Sequence, residues 1–155
     1  MFESDISEQV FSAQEIQTAV KNLGEAITRD YAGRQPILIG ILKGSFVFMA
    51  DLVRNIDLYC DVDFMAISSY GNGTTSTGAV RITKDLTYDI YGRDVIIVED
   101  ILDTGITLSY LVQYLMGRRP ATLKICTLLN KPAGRKKDIA ADYIGLTCPN
   151  GFIVG

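Results

Sequence analysis

The sequence predicts an α/β fold, with a mainly parallel twisted sheet flanked by helices. Three observations carry this. Unbroken apolar runs occur at residues 37–42 and 95–98, as in strands buried on both faces, and residues 122–129 form a third, β-branched and largely apolar run. Between them lie segments with apolar residues at helical spacing. Two of the runs pass into a helix through a Gly-containing loop, the first half of a βαβ unit. At 155 residues, 48% hydrophobic and 21% charged, the chain suits one domain with its own core.

Ser12-Ala13-Gln14-Glu15 has the form of a capping box. Ile16, Ala19, Val20, Leu23 and Ile27 follow on one helical face, and Gly33 is a suitable terminator. Pro36 precedes the first strand, residues 37–42, and Lys43-Gly44-Ser45 leaves its C-terminal end. Phe46, Val47, Met49, Ala50, Leu52 and Val53 predict a helix buried on most sides. Residues 60–67 read as the next strand, with Val62, Phe64 and Ala66 on one face. Residues 68–78 hold three glycines, one aromatic and no core-forming side chain, so they predict a flexible lid or a plain hairpin tip. Residues 79–83 and 86–90 predict a short antiparallel extension, and Tyr91-Gly92-Arg93-Asp94 turns into the next strand.

That strand opens the stretch around which the chain is organised. Val95-Ile96-Ile97-Val98 leads into Glu99, Asp100 and Asp103, three carboxylates within five positions. Thr104-Gly105-Ile106-Thr107 then opens a helix marked by Ile106, Leu108, Leu111, Val112 and Leu115 and ending near Gly117. Residues 122–129 form another strand, followed by a basic loop, Asn130-Lys131-Pro132-Ala133-Gly134-Arg135-Lys136-Lys137. Residues 142–146 predict a short strand, and Pro149-Asn150-Gly151 turns into Phe152-Ile153-Val154-Gly155.

The chain has no histidine, which excludes Ser-His-Asp, Cys-His and His-ligated metal chemistry. A net charge of −3 argues against a dedicated nucleic-acid binder. Cys60, Cys126 and Cys148 form no CxxC and fit reduced thiols of a cytoplasmic protein. Met1-Phe2-Glu3-Ser4-Asp5 does not resemble a signal peptide, and no apolar run is long enough to span a membrane.

A helix N-terminus with free amides, a glycine and two threonine hydroxyls suits a phosphate, or is simply a capped junction. Glu99 and Asp100 at the end of a buried strand call for compensation by a divalent cation or sugar hydroxyls. Asp103, closer to the turn, can serve as a base or hydrogen-bond partner. Lys43 and Gly44 offer a second anion site at a strand's C-terminal end. Lys131 can donate to a carbonyl or phosphate. Arg135, Lys136 and Lys137 read as a solvated basic face. Phe152 and Ile153 read as core, or as a platform for a planar ring.

Residues 95–107 resemble the phosphoribosyl diphosphate signature of type I phosphoribosyltransferases. Leu42-Lys43-Gly44-Ser45, Ser69-Tyr70, Glu99-Asp100-Ile101-Leu102-Asp103-Thr104-Gly105, Leu128-Leu129-Asn130-Lys131 and residues 149–155 follow the order seen in the hypoxanthine(-guanine) branch of that family. The resemblance implies the type I phosphoribosyltransferase fold, with a flexible lid loop and a small purine-binding hood. It implies purine salvage: hypoxanthine or guanine plus phosphoribosyl diphosphate gives the nucleoside 5′-monophosphate and pyrophosphate. It implies Mg²⁺ as cofactor, a homodimer or homotetramer, and no nucleic-acid or membrane partner. By the same resemblance, Glu99 and Asp100 hold ribose hydroxyls and magnesium, and Asp103, Thr104, Gly105, Ile106 and Thr107 cradle the 5′-phosphate. Asp103 faces the base N7 as acid/base group. Lys43 and Gly44 meet pyrophosphate, after a peptide that is often cis in the family. Ser69 and Tyr70 belong to the lid. Lys131 meets O6, Phe152 stacks on the purine and the Ile153 backbone meets its edge. The family also has a Leu-Asp segment with a second magnesium contact and a downstream Arg, without counterpart in residues 1–155. The expectation is one phosphoribosyltransferase domain lacking that C-terminal segment: either the chain is a trimmed one, or, if it ends at Gly155, magnesium and pyrophosphate handling are weakened. The alternative is a regulator that keeps the nucleotide site without turnover.

Overall fold

A computed structural model describes residues 10–69 and 80–149, with the side chain of Ser69 left out. Ten elements follow one another. They are α1 (Ala13–Asp30), β1 (Ile37–Leu42), α2 (Phe46–Arg54), β2 (Asp61–Ser69), β3 (Val80–Lys84), β4 (Asp94–Leu102), α3 (Ile106–Met116), β5 (Thr122–Asn130), a 3₁₀ turn (Pro132–Gly134) and β6 (Tyr143–Thr147). The predicted capping box forms: the Glu15 amide donates to Ser12 Oγ at 3.0 Å, and the Ser12 amide to Glu15 Oε1 at 3.1 Å.

The six strands lie in the order β3-β2-β1-β4-β5-β6. All neighbours are parallel except β2 and β3. Alternation along the strands divides the core in two. Leu38, Ile96, Val98 and Cys126 meet α1 and α2 through Val20, Leu23, Ile27, Phe48, Met49 and Leu52. Ile37, Ile39, Val95, Ile97 and Ile125 meet α3 through Leu108, Leu111 and Leu115. From β1 the chain crosses to β2 on one side, and from β4 it crosses to β5 on the other. The β1–β4 boundary is therefore the topological switch point, the place where open α/β sheets bind ligands at the strands' C-terminal ends.

Two expectations need correction. The helix after β1 is not buried on most sides: Phe48, Met49 and Leu52 are buried, but Phe46 and Val47 are 58% and 56% exposed. Residues 86–90 form no second strand. The buried Asp63 carboxylate instead accepts the amides of Thr87 and Tyr88 at 2.8 and 3.0 Å, which holds this segment as a turn. The strand carrying the acids runs on to Leu102, so Glu99 and Asp100 lie in the last part of β4, at the strand end as expected, and Asp103 in the loop beyond it. The lid predicted at residues 68–78 lies outside the described residues from Tyr70 onward.

Candidate functional site

Two βα loops face each other across the β1–β4 boundary. The first follows β1. Its Leu42–Lys43 peptide is cis, as the family resemblance implies. The buried Ser45 hydroxyl donates to the Ile41 carbonyl at 2.8 Å and ties the loop to the strand end. Lys43 and Gly44 are exposed at the rim. A Cβ added to Gly44 would stand 2.8 Å from Asp100 Oδ2 and 3.1 Å from Oδ1. Gly44 is thus glycine because the loop lies directly against the Asp100 carboxylate, and two residues 56 positions apart share one rim.

The second loop follows β4. Asp100 Oδ1 accepts the Ile101 amide at 2.9 Å, which fixes that carboxylate beside Gly44. Burial, and then the charge of Asp100, push the Glu99 carboxyl up to about 8. Two adjacent carboxylates, one held largely protonated, suit a hard cation or sugar hydroxyls that restore the charged form. Among the described residues no group of three or more His, Cys, Asp or Glu could hold a metal ion. Glu99 and Asp100 are the residues that could hold a hard cation here, since such an ion can be bound through one or two protein carboxylates when a phosphorylated ligand supplies the rest.

Gly105 precedes α3 at φ +79, a conformation that favours glycine. A Cβ there would also meet Ile139 Cγ2 at 2.4 Å. The close approach that Gly105 allows is thus to the loop behind it. Thr104 Oγ1 accepts the Ile106 amide at 3.4 Å, a long capping contact, and Ile106 and Thr107 occupy the first turn of α3.

The loop after β5 closes the third side. Lys131 Nζ lies 4.0 Å from Asp103 Oδ2, with Lys131 the more buried of the two. A Cβ on Gly134 would collide with Asp103 Oδ1 at 1.9 Å, so this glycine leaves room for the carboxylate. Arg135 is not part of a solvated basic face. Its guanidinium donates to the Asp103 carbonyl at 2.9 Å, the Ile139 carbonyl at 2.6 Å and Asn130 Oδ1 at 2.7 Å. Nothing local distinguishes it from Lys136 and Lys137, which are exposed. Its partners come from the turn after β4 and from either side of the loop, a signal absent from the linear sequence.

The structure thus brings together Lys43, Gly44, Glu99, Asp100, Asp103, Thr104, Gly105, Ile106, Thr107 and Lys131 at one sheet edge. Ser69 ends β2; its side chain, Tyr70, Phe152 and Ile153 lie outside what is described. Open clefts elsewhere on the described residues lie around Arg34 and Tyr59, and around Lys21 and Arg54, at the opposite end of the sheet's strands from these acids.

The sequence matches the family model of the phosphoribosyl transferase domain over residues 7–155. It is 50% identical to a hypoxanthine-guanine phosphoribosyltransferase of Bacillus subtilis over 155 residues, 100% of this chain and 86% of that protein. It is 52% identical to the protein of the same name from Streptococcus pneumoniae, with the same coverage. Among solved structures, a hypoxanthine phosphoribosyltransferase from Staphylococcus aureus superposes with a TM-score of 0.94 at 46% identity, covering 97% of this chain and 82% of that one.

Proposed function

The chain belongs to the phosphoribosyl transferase domain family, and from that premise we propose that it is a purine-salvage hypoxanthine-guanine phosphoribosyltransferase. It transfers the 5-phosphoribosyl group from phosphoribosyl diphosphate to hypoxanthine or guanine, giving IMP or GMP and pyrophosphate. The observation that carries the site reading is the meeting of three loops at the β1–β4 switch point, with Asp103 lying between the phosphate turn and Lys131.

In this reading the purine N9 bonds to the anomeric carbon as the bond to the pyrophosphate oxygen breaks, and its electron pair leaves with pyrophosphate. Asp103 takes the proton from N7. Lys131 donates to O6, Phe152 stacks on the ring and the Ile153 backbone meets its edge. Thr104, Gly105, Ile106 and Thr107 bind the 5′-phosphate at the start of α3. Lys43 and Gly44 bind the pyrophosphate, and Ser69 and Tyr70 belong to a lid that excludes water. Glu99 and Asp100 hold the ribose hydroxyls and magnesium. When bound, magnesium supplies neutralisation of the charge that develops on pyrophosphate. Three free thiols favour a cytoplasmic setting, and among the described residues no helix is long and apolar enough to cross a membrane.

The test is direct. The protein is incubated with phosphoribosyl diphosphate, Mg²⁺ and each of hypoxanthine, guanine and xanthine, and nucleotides are separated by ion-exchange chromatography. IMP or GMP is the expected product, and no nucleotide from any base would refute the reading. In the same assay Asp103→Asn lowers turnover roughly 10²-fold or more, because shape is kept and the proton acceptor is lost. Unchanged turnover would remove Asp103 from that role.

A further inference from the structure

Three consecutive carbonyls of the phosphate turn are held from behind by the loop after β5. The Leu102 carbonyl accepts the Lys131 amide at 2.9 Å and Arg135 Nη2 at 3.5 Å. The Asp103 carbonyl accepts Arg135 Nε at 2.9 Å. The Thr104 carbonyl accepts the Lys136 amide at 2.8 Å. In a planar trans peptide the N–H points opposite to the C=O. Holding the carbonyls of 102, 103 and 104 therefore turns the amides of Asp103, Thr104 and Gly105 away from this loop. None of these three amides has a hydrogen-bond partner among the described residues. Successive free amides turned away from the supporting loop suit an anion.

Arg135 is the only side chain among the donors to these three carbonyls, and it is itself anchored at the Ile139 carbonyl and Asn130 Oδ1. Its fork spans acceptors that a lysine ammonium cannot reach together. We propose that Arg135 is a positioning residue for phosphate recognition, setting from the rear the direction of the amides that meet the 5′-phosphate. This rests on the function proposed above. Arg135 touches no ligand; it acts through the peptides of residues 102–104.

The test compares GMP with guanosine, which differ by the phosphate alone, by calorimetric titration of the whole protein. The unaltered protein binds GMP more tightly. Arg135→Gln reduces that preference roughly tenfold or more, since misdirected donors lose much of their electrostatic value. Arg135→Lys, which keeps the charge, loses most of it too. Lys137→Ala removes an exposed charge of the same loop and leaves the preference unchanged. If Arg135→Gln does not fold, Arg135→Lys carries the comparison. Equal weakening of both ligands, or a full GMP preference in Arg135→Lys, would overturn the positioning role. Failure of the unaltered protein to bind either ligand would instead refute the function itself.

Discussion

Glu99 shows how one residue couples stability to ligand. Its folded-state pKa stands near 8, against 4.5 for an unperturbed carboxyl, because burial and the neighbouring Asp100 charge disfavour ionisation. Between these two values the native protein holds a proton that the unfolded chain has released. The unfolded state thus binds fewer protons, and stability falls as pH rises through that window. Above it both states are ionised and the slope disappears. The contribution is at most about 5 kcal/mol across the window. Glu99→Gln keeps the shape and cannot ionise. Urea midpoints measured from pH 5 to pH 8.5 should decline for the unaltered protein and flatten for the variant. Parallel curves would show that Glu99 is not the titrating group. The same shift implies that a cation or diol binding the charged form releases a proton near neutrality.

At the scale of elements, the site is a contact between loops that the sheet brings together. Gly44 ends the β1 loop against Asp100 of β4, so Gly44→Ala must displace a carboxylate already held by the Ile101 amide. The core of α2 and β1 does not feel this change. Stability should hold within about 1 kcal/mol, as for substitutions outside the core. Donor turnover should fall roughly 10²-fold, the scale of a misplacement near 1 Å. Steady-state kinetics over a phosphoribosyl diphosphate series would decide it, and full turnover would mean that the rim tolerates a side chain there. Residues 37–42 and 95–98 were legible as strands because strands buried on both faces need unbroken apolar runs. The Ser12–Glu15 cap was legible because its chemistry is local. Residues 86–90 were not: their apolar content suggested a strand, while a carboxylate 24 positions earlier claims the Thr87 amide. Arg135 was illegible for the same reason, since its acceptors are mostly carbonyls whose place depends on β4 meeting β5.

At the scale of the whole molecule, the misreading of α2 becomes a prediction about assembly. An apolar helix after β1 should be buried, yet Phe46 and Val47 are both more than half exposed in the single chain. Isolated exposed apolar residues are ordinary, but these two are adjacent and follow directly on the Lys43–Gly44 loop. The sheet does not offer them cover, because α2 already packs Phe48, Met49 and Leu52 against it and α1. A second copy of the chain, in a homodimer or homotetramer, would supply the cover that the single chain does not. Sedimentation velocity should find the unaltered protein assembled, and Phe46→Ser with Val47→Ser should shift it toward the monomer while leaving its circular dichroism unchanged. Since this face adjoins the loop proposed to bind pyrophosphate, dissociation should also raise the KM for phosphoribosyl diphosphate more than that for the base. A monomeric unaltered protein, or a double variant that stays assembled with unchanged kinetics, would break the link between this face and the site.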